Sequence, residues 1–167
     1  QTTIIRQLEN FANLVVLRTL SKSHAAAGLR CGAAVAHSDV SALLKKVLAP
    51  YPLAEPVIQE ALSILQPKNT AKLAKKRADI VVRRNEYAAI FAGLDDVISV
   101  LPSDANYLLL LVRDAEALCV RAREAGIILR NQSHQPSLEN AVRITIGNDK
   151  EMQLLLTVMS GKRAAAT

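Results

Sequence analysis

The sequence predicts an α/β fold whose C-terminal part is a small α+β domain, and three observations carry that prediction. From about residue 70 onward, stretches with a helical apolar period alternate with short apolar runs, in the order helix–strand–strand–helix–strand–strand–helix. The first 50 residues hold one or two apolar strand-like runs without enough neighbours to build a sheet of their own. Between the two regions, 51–66 is proline-punctuated and reads as a connecting segment with one interdomain helix. The expected organisation is therefore 1–50 as part of a larger domain, 51–66 as the connection, and 67–167 as the small α+β domain.

Each element has a local reason. Residues 3–12 read as a short helix with Ile4, Ile5, Leu8 and Phe11 on one side. Residues 14–18 read as a buried strand, and Gly28 to Ala36 as a second apolar strand that Gly32 makes close-packed. Ser38 and Asp39 give a helix start ahead of Val40, Leu43, Leu44 and Val47, and Pro50-Tyr51-Pro52 stops that helix. Pro56 suits the first turn of a helix ending near Leu65. A long helix is expected over 69–93, closed by Gly93. Val97 to Leu101 and Tyr107 to Val112 are strands around a Pro-Ser-Asp turn. Asp114 starts a helix that Gly126 stops, Ile127 to Arg130 and Val142 to Ile146 are strands, and 149–160 is the last helix. Residues 161–167 read as a frayed end.

Composition narrows the class. Half of the 167 residues are hydrophobic, which excludes a disordered chain, and no apolar run approaches the ~20 residues of a membrane span. Cys31 and Cys119 form no CxxC, so a reduced, cytoplasmic setting is expected. His24, His37 and His134 are too scattered for a metal site. The basic run from Lys68 to Arg84 shares its helix with a core stripe of Leu73, Ile80, Val81, Tyr87, Ala88 and Phe91, so it reads as a solvated face and not as a nucleic-acid surface. The start at Gln1 without an initiator Met fits a fragment, a processed product or a trimmed chain.

The chemistry concentrates in Thr19-Leu20-Ser21-Lys22 and the residues to Arg30. A lysine at a strand end beside small residues is placed to be desolvated, which frees an amine for Schiff-base chemistry. Ser21 and Arg30 offer a hydroxyl and a forked cation to a phosphate, and an arginine in a buried strand needs an anionic partner, a carboxylate or a phosphate. Lysine, serine and arginine around a phosphorylated aldehyde describe a pyridoxal phosphate site. In Val142-Arg143-Ile144-Thr145-Ile146, alternation turns Arg143 away from the core, as an exposed arginine or a clamp on a substrate carboxylate. Arg130, at the end of an adjacent strand, is a second anion-binding candidate. Asn106 is a turn residue or a site residue, and Tyr51 a packed ring or a positioned hydroxyl.

These residues carry a resemblance. Leu-Arg-Thr-Leu-Ser-Lys at 17–22, Ala-Gly-Leu-Arg-Cys-Gly at 27–32, Ala-Pro-Tyr-Pro-Leu at 49–53, Asn-Tyr at 106–107, Gly-Ile-Ile-Leu-Arg at 126–130, Gln-Pro-Ser-Leu at 135–138 and Arg-Ile-Thr-Ile-Gly at 143–147 resemble the histidinol-phosphate aminotransferase family in collinear order. That family is fold-type I and depends on pyridoxal 5'-phosphate. The resemblance implies that Lys22 is the Schiff-base lysine, that Ser21 and Arg30 hold the cofactor phosphate, and that Arg143, Arg130, Asn106 and Tyr51 bind substrate. It implies an exchange of an amino group between histidinol phosphate and 2-oxoglutarate or glutamate in a cytoplasmic homodimer, with no nucleic acid or membrane as partner. His24 departs from the aromatic common there, which alters packing beside Lys22.

The family's chain is longer, and its N-terminal half carries the acidic partner of the pyridinium nitrogen, the ring-stacking aromatic, and the asparagine and tyrosine that hold the ring oxygen. None of those motifs is among these residues. The chain thus resembles the C-terminal portion, with 1–50 the remnant of the large pyridoxal phosphate-binding domain, and is expected to be inactive alone. An aromatic-amino-acid aminotransferase, a phosphothreonine-type decarboxylase and a noncatalytic basic binding module are the alternatives.

Overall fold

A computed structural model describes residues 3–161, so the end beyond Gly161, expected to fray, lies outside the described residues. The chain divides into two compact units, Gln1–Arg77 and Ala78–Thr167.

The first unit opens with a 3-10 helix, Ile4–Glu9, where a longer helical stretch was expected. Strand β1 (Val15–Thr19) pairs antiparallel with β2 (Gly32–Ala36), running from Val15 opposite Ala36 to Thr19 opposite Gly32. Gly32 is required there, because a Cβ would stand 2.7 Å from the Arg18 carbonyl oxygen. Neither strand is buried as its apolar composition predicts, and Leu17 is 76% exposed. A two-stranded ribbon has two faces to cover, and the neighbouring helix α1 (Ser38–Val47) leaves Leu43 and Val47 exposed as well. Helix α1 is capped by His37, whose ring accepts from the Asp39 N–H, one residue ahead of the expected Ser38 start. Helix α2 (Glu55–Ile64) carries Pro56 in its first turn, as expected. Among the described residues of this unit, the buried hydrophobics are Ala26 and Ala61, so the unit has no large-side-chain core.

The 26-residue helix α3 (Pro67–Ala92) contains the boundary between the units, and its C-terminal part contributes Tyr87 and Phe91 to the second core. Val81, expected in the core stripe, is exposed, and Arg84, expected on the solvated face, is buried. The buried stripe runs through Ile80, Arg84, Tyr87 and Phe91, a run of i+4, i+3 and i+4 steps that turns Val81 outward.

The second unit continues with β3 (Val97–Leu101), β4 (Tyr107–Val112), α4 (Ala115–Glu124), β5 (Arg130–Asn131), β6 (Ala141–Thr145) and α5 (Asp149–Met159). The sheet is antiparallel in the order β3-β4-β6-β5. Alternation along β4 buries Leu108, Leu110 and Val112, and along β6 it buries Val142 and Ile144 against Phe91, Leu118 and Met152. Burying each such side chain contributes about 1.5–3 kcal/mol, which gives this unit a core of its own. The Asp114 side chain accepts from the Ala117 N–H at the start of α4.

Helix α4 ends in a Schellman arrangement: Gly126 takes φ +79° and donates to the Arg123 carbonyl, and Ile127 donates to the Ala122 carbonyl. That cap explains a correction. The strand expected over Ile127 to Arg130 is only Arg130–Asn131, because the cap occupies the Ile127 N–H. Asn148 and Glu151 form a capping box on α5. Among the described residues, no helix is long and apolar enough to cross a membrane, and no His, Cys, Asp and Glu cluster could hold a metal ion.

Candidate functional site

Two clusters of candidate residues emerge, one in each unit. In the first, β1 and β2 are joined by a loop closed by a hydrogen bond from the Leu20 N–H to the Cys31 carbonyl, 3.2 Å. Thr19 organises its start, donating to Ser21 Oγ at 2.8 Å and accepting from the Ser21 N–H at 3.1 Å. Lys22 opens the next turn, in which its carbonyl accepts from the Ala25 N–H. The short 3-10 turn Ala27–Leu29 follows and ends on Arg30.

Arg30 is not in a buried strand: it is exposed, with φ +50°, at the end of the 3-10 turn, and its guanidinium donates to the Ala27 carbonyl at 3.4 Å. Lys22 is exposed, so this unit does not desolvate its amine. Ser21 is half-buried. Ala25 (φ +54°) and Arg30 are two of the four non-glycine residues with positive φ among the described residues. The other two, Ser137 and Asn140, lie in the loop between β5 and β6, so the strain is concentrated in the loops beside the two clusters.

In the second unit, pairing places Arg130 on β5 directly opposite Arg143 on β6, the adjacency expected of two anion-binding arginines. Arg143 is half-buried and Arg130 exposed. Together with Glu116, Cys119, Arg123 and Thr145 they line a concavity of about 400 Å³. Three guanidinium groups face one carboxylate there, so the concavity favours an anion. Glu116 is engaged by the Asn131 side-chain amide at 3.2 Å. The Cys119 thiol is pushed above its ordinary range, first by burial and then by the charge of Glu116, with Arg123 opposing. It therefore remains a neutral wall and not a nucleophile.

Tyr107 was not anticipated as part of this site. Its ring lies under the Arg143 guanidinium, 5.2 Å from Cζ to the ring centroid, and it pairs across the sheet with Thr145. The Arg143 Nε is buried and has no hydrogen-bond partner among the described residues. A buried guanidinium N–H without an acceptor is costly to leave unpaired, which makes Arg143 the candidate donor at this concavity. Alternation along β4 puts Tyr107 on the same side as Arg143, a relation visible only once the β4–β6 register is known. Asn106 precedes Tyr107 with an exposed side chain, and its carbonyl accepts from the Ile146 N–H at 2.9 Å. Tyr51 is 92% exposed between its two prolines.

A family model described as "Aminotransferase class I and II" matches residues 2–159. The chain belongs to the aminotransferase class I and II family. Among its relatives, it is 41% identical over 151 residues to histidinol-phosphate aminotransferase 1 of Pasteurella multocida, covering 90% of this chain and 43% of the relative. It is 36% identical over 163 residues to the histidinol-phosphate aminotransferase of an Escherichia coli strain, covering 98% of this chain and 46% of the relative. The fold of this aminotransferase chain is similar to that of histidinol-phosphate aminotransferase from Sinorhizobium meliloti, crystallised in complex with pyridoxal-5'-phosphate, with a TM-score of 0.80 at 24% identity. That match covers 94% of this chain and 43% of the other. The architecture is accordingly a mixed α/β part of a fold-type I aminotransferase, and the chain spans less than half the length of the curated relatives it matches.

Proposed function

We propose that the protein containing this chain is a pyridoxal phosphate-dependent aminotransferase that exchanges an amino group between histidinol phosphate and 2-oxoglutarate or glutamate. The observation that carries the reading is the direct pairing of Arg130 with Arg143 at one concavity, which supplies two forked cations to the phosphate of histidinol phosphate or to a carboxylate of glutamate. Relatives at 36–41% identity are histidinol-phosphate aminotransferases, which supports the substrate class.

The donor set of the first unit fits the cofactor: an exposed amine on Lys22, a hydroxyl on Ser21 and a guanidinium on Arg30 belong to one closed loop. Lys22 would hold it covalently through Nζ, and Ser21 and Arg30 would hold its phosphate. When bound, pyridoxal phosphate supplies an electron sink for the carbon that carries the exchanged amine. Lys22 Nζ, once free, accepts a proton from that carbon as general base and later returns one as general acid. Arg143 clamps the glutamate carboxylate, and Arg130 joins it in holding the phosphate of histidinol phosphate. Asn106 and Tyr51 complete the substrate contacts.

The same reading assigns 1–50 to the large cofactor-binding domain, 51–66 to the interdomain connection and 67–167 to the small domain of a cytoplasmic homodimer. The ring-nitrogen partner and the stacking aromatic would come from residues beyond these 167, so this chain alone is expected to be inactive. Initial rates with histidinol phosphate and with phenylalanine as amino donors, using the whole protein, test the substrate. A preference for histidinol phosphate is expected. A preference for phenylalanine, or decarboxylation in place of transamination, would overturn the assignment.

A further inference from the structure

Arg84 is the buried charged residue of the described chain, 7% exposed on α3. No carboxylate lies within ion-pair distance of it among the described residues. Its guanidinium spends its donors on neutral oxygens: Nη1 donates to the Ala105 carbonyl at 3.0 Å, and Nε and Nη2 both donate to Asn85 Oδ1, at 3.3 and 3.2 Å. A buried cation without a counter-charge costs stability, and packing alone would be served better by an aliphatic side chain. What Arg84 holds is therefore informative.

The Ala105 carbonyl belongs to the peptide plane that enters Asn106. The rest of that turn is tied just as firmly. Ser103 Oγ donates to the Tyr107 carbonyl at 2.6 Å and accepts from the Ala105 N–H at 3.1 Å. The Asn106 carbonyl takes the Ile146 N–H at the end of β6. With Ala105 clamped on one side and Ile146 on the other, Asn106 has little freedom to rotate. Tyr107, the next residue, carries the ring beneath Arg143.

We infer that Arg84 is a positioning residue: its guanidinium fixes the 103–107 turn and thereby sets Asn106 and the Tyr107 ring that supports the Arg143 anion clamp. The substrate consequence rests on the aminotransferase reading, whereas the clamp on the turn does not. Arg84 touches neither substrate nor cofactor and acts only through Ala105.

The test uses the whole protein with Arg84→Gln and Arg84→Lys. Hydrogen exchange at the Ile146 amide reports the turn, and KM against kcat for the amino donor reports the site. Glutamine cannot span both acceptors, so exchange at Ile146 is expected to rise about tenfold and KM about fivefold, with kcat within about twofold. Lysine keeps one bond and the charge, so exchange should rise only about threefold, with a correspondingly smaller change in KM. Should the glutamine variant not fold, the lysine variant alone decides. Unchanged exchange at Ile146 would overturn the clamp. Faster exchange with KM unchanged would leave Arg84 purely structural and overturn its link to the site. A parent protein without transaminase activity would remove the functional reading and leave the exchange measurement to judge the clamp.

Discussion

If the proposed substrates are the true ones, replacing Arg143 by alanine should raise KM for both glutamate and histidinol phosphate far more than any change at Arg130. Arg143 is half-buried, its Cζ is 5.2 Å from the Tyr107 ring centroid, and its buried Nε has no hydrogen-bond partner among the described residues, so the ring and the strand restrict where the guanidinium can point. A charge-assisted hydrogen bond contributes about 1.5–3 kcal/mol, and a forked guanidinium makes two. Partial exposure and the flanking Arg130 and Arg123, which would still attract the anion, reduce the sum to about 2–4 kcal/mol. That corresponds to roughly a 30- to 700-fold rise in KM. Arg143→Lys keeps the charge and loses the fork, for a smaller rise of about tenfold. Arg130 is exposed, and its removal should cost about 1 kcal/mol, roughly fivefold. Steady-state kinetics on the whole protein measure all three. A KM within threefold of the parent in Arg143→Ala, or a larger effect at Arg130, would rule out Arg143 as the principal anion clamp.

Three further outcomes are expected. Tyr107→Leu should raise KM roughly two- to fivefold through loss of a cation–π contact of about 0.5–1 kcal/mol, whereas Tyr107→Phe keeps the ring and should change little; equal effects of the two variants would count against the ring's role. Gly32→Ala would push a Cβ to 2.7 Å from the Arg18 carbonyl oxygen, so β1 and β2 must part at a cost of about 1–3 kcal/mol. Hydrogen exchange at the Leu20 amide, which closes the Lys22 loop, should accelerate, and an unchanged rate would contradict the close approach. Cys119 should make stability fall at alkaline pH. Its thiol is raised above the ordinary 9.0 by burial, so the unfolded chain gives up the proton first and the stabilisation is lost as pH climbs from there through the folded value. The thermal-melt difference between the parent and Cys119→Ala should hold up to about pH 9 and narrow above it, and a constant difference would exclude that linkage.

The second unit was largely legible in the sequence, and the first was not. Along Tyr107 to Val112 and Ala141 to Thr145, large apolar residues alternate cleanly because one sheet face is covered, so strands, faces and the outward turn of Arg143 could all be read. In the first unit, the run from Gly28 to Ala36 is mostly small and apolar around Arg30, and that composition hid a 3-10 turn ahead of the true strand. Arg30 in the left-handed region was illegible because arginine has no preference for it; the loop closure between Leu20 and Cys31 imposes it. Composition predicts covered strands there, and these 167 residues, which span less than half the length of the relatives they match, do not themselves supply the cover. Tyr107 beneath Arg143 depends on a register linking residues more than thirty positions apart, and Arg84 on a buried polar contact, neither of which periodicity reveals.

Lys22 is the residue proposed to bind pyridoxal phosphate. Incubating the whole protein with pyridoxal phosphate, reducing with borohydride and mapping the modified lysine by peptide mass spectrometry tests it directly. The label should fall on Lys22 and be lost in Lys22→Ala. A label on another lysine, or none, would contradict the account.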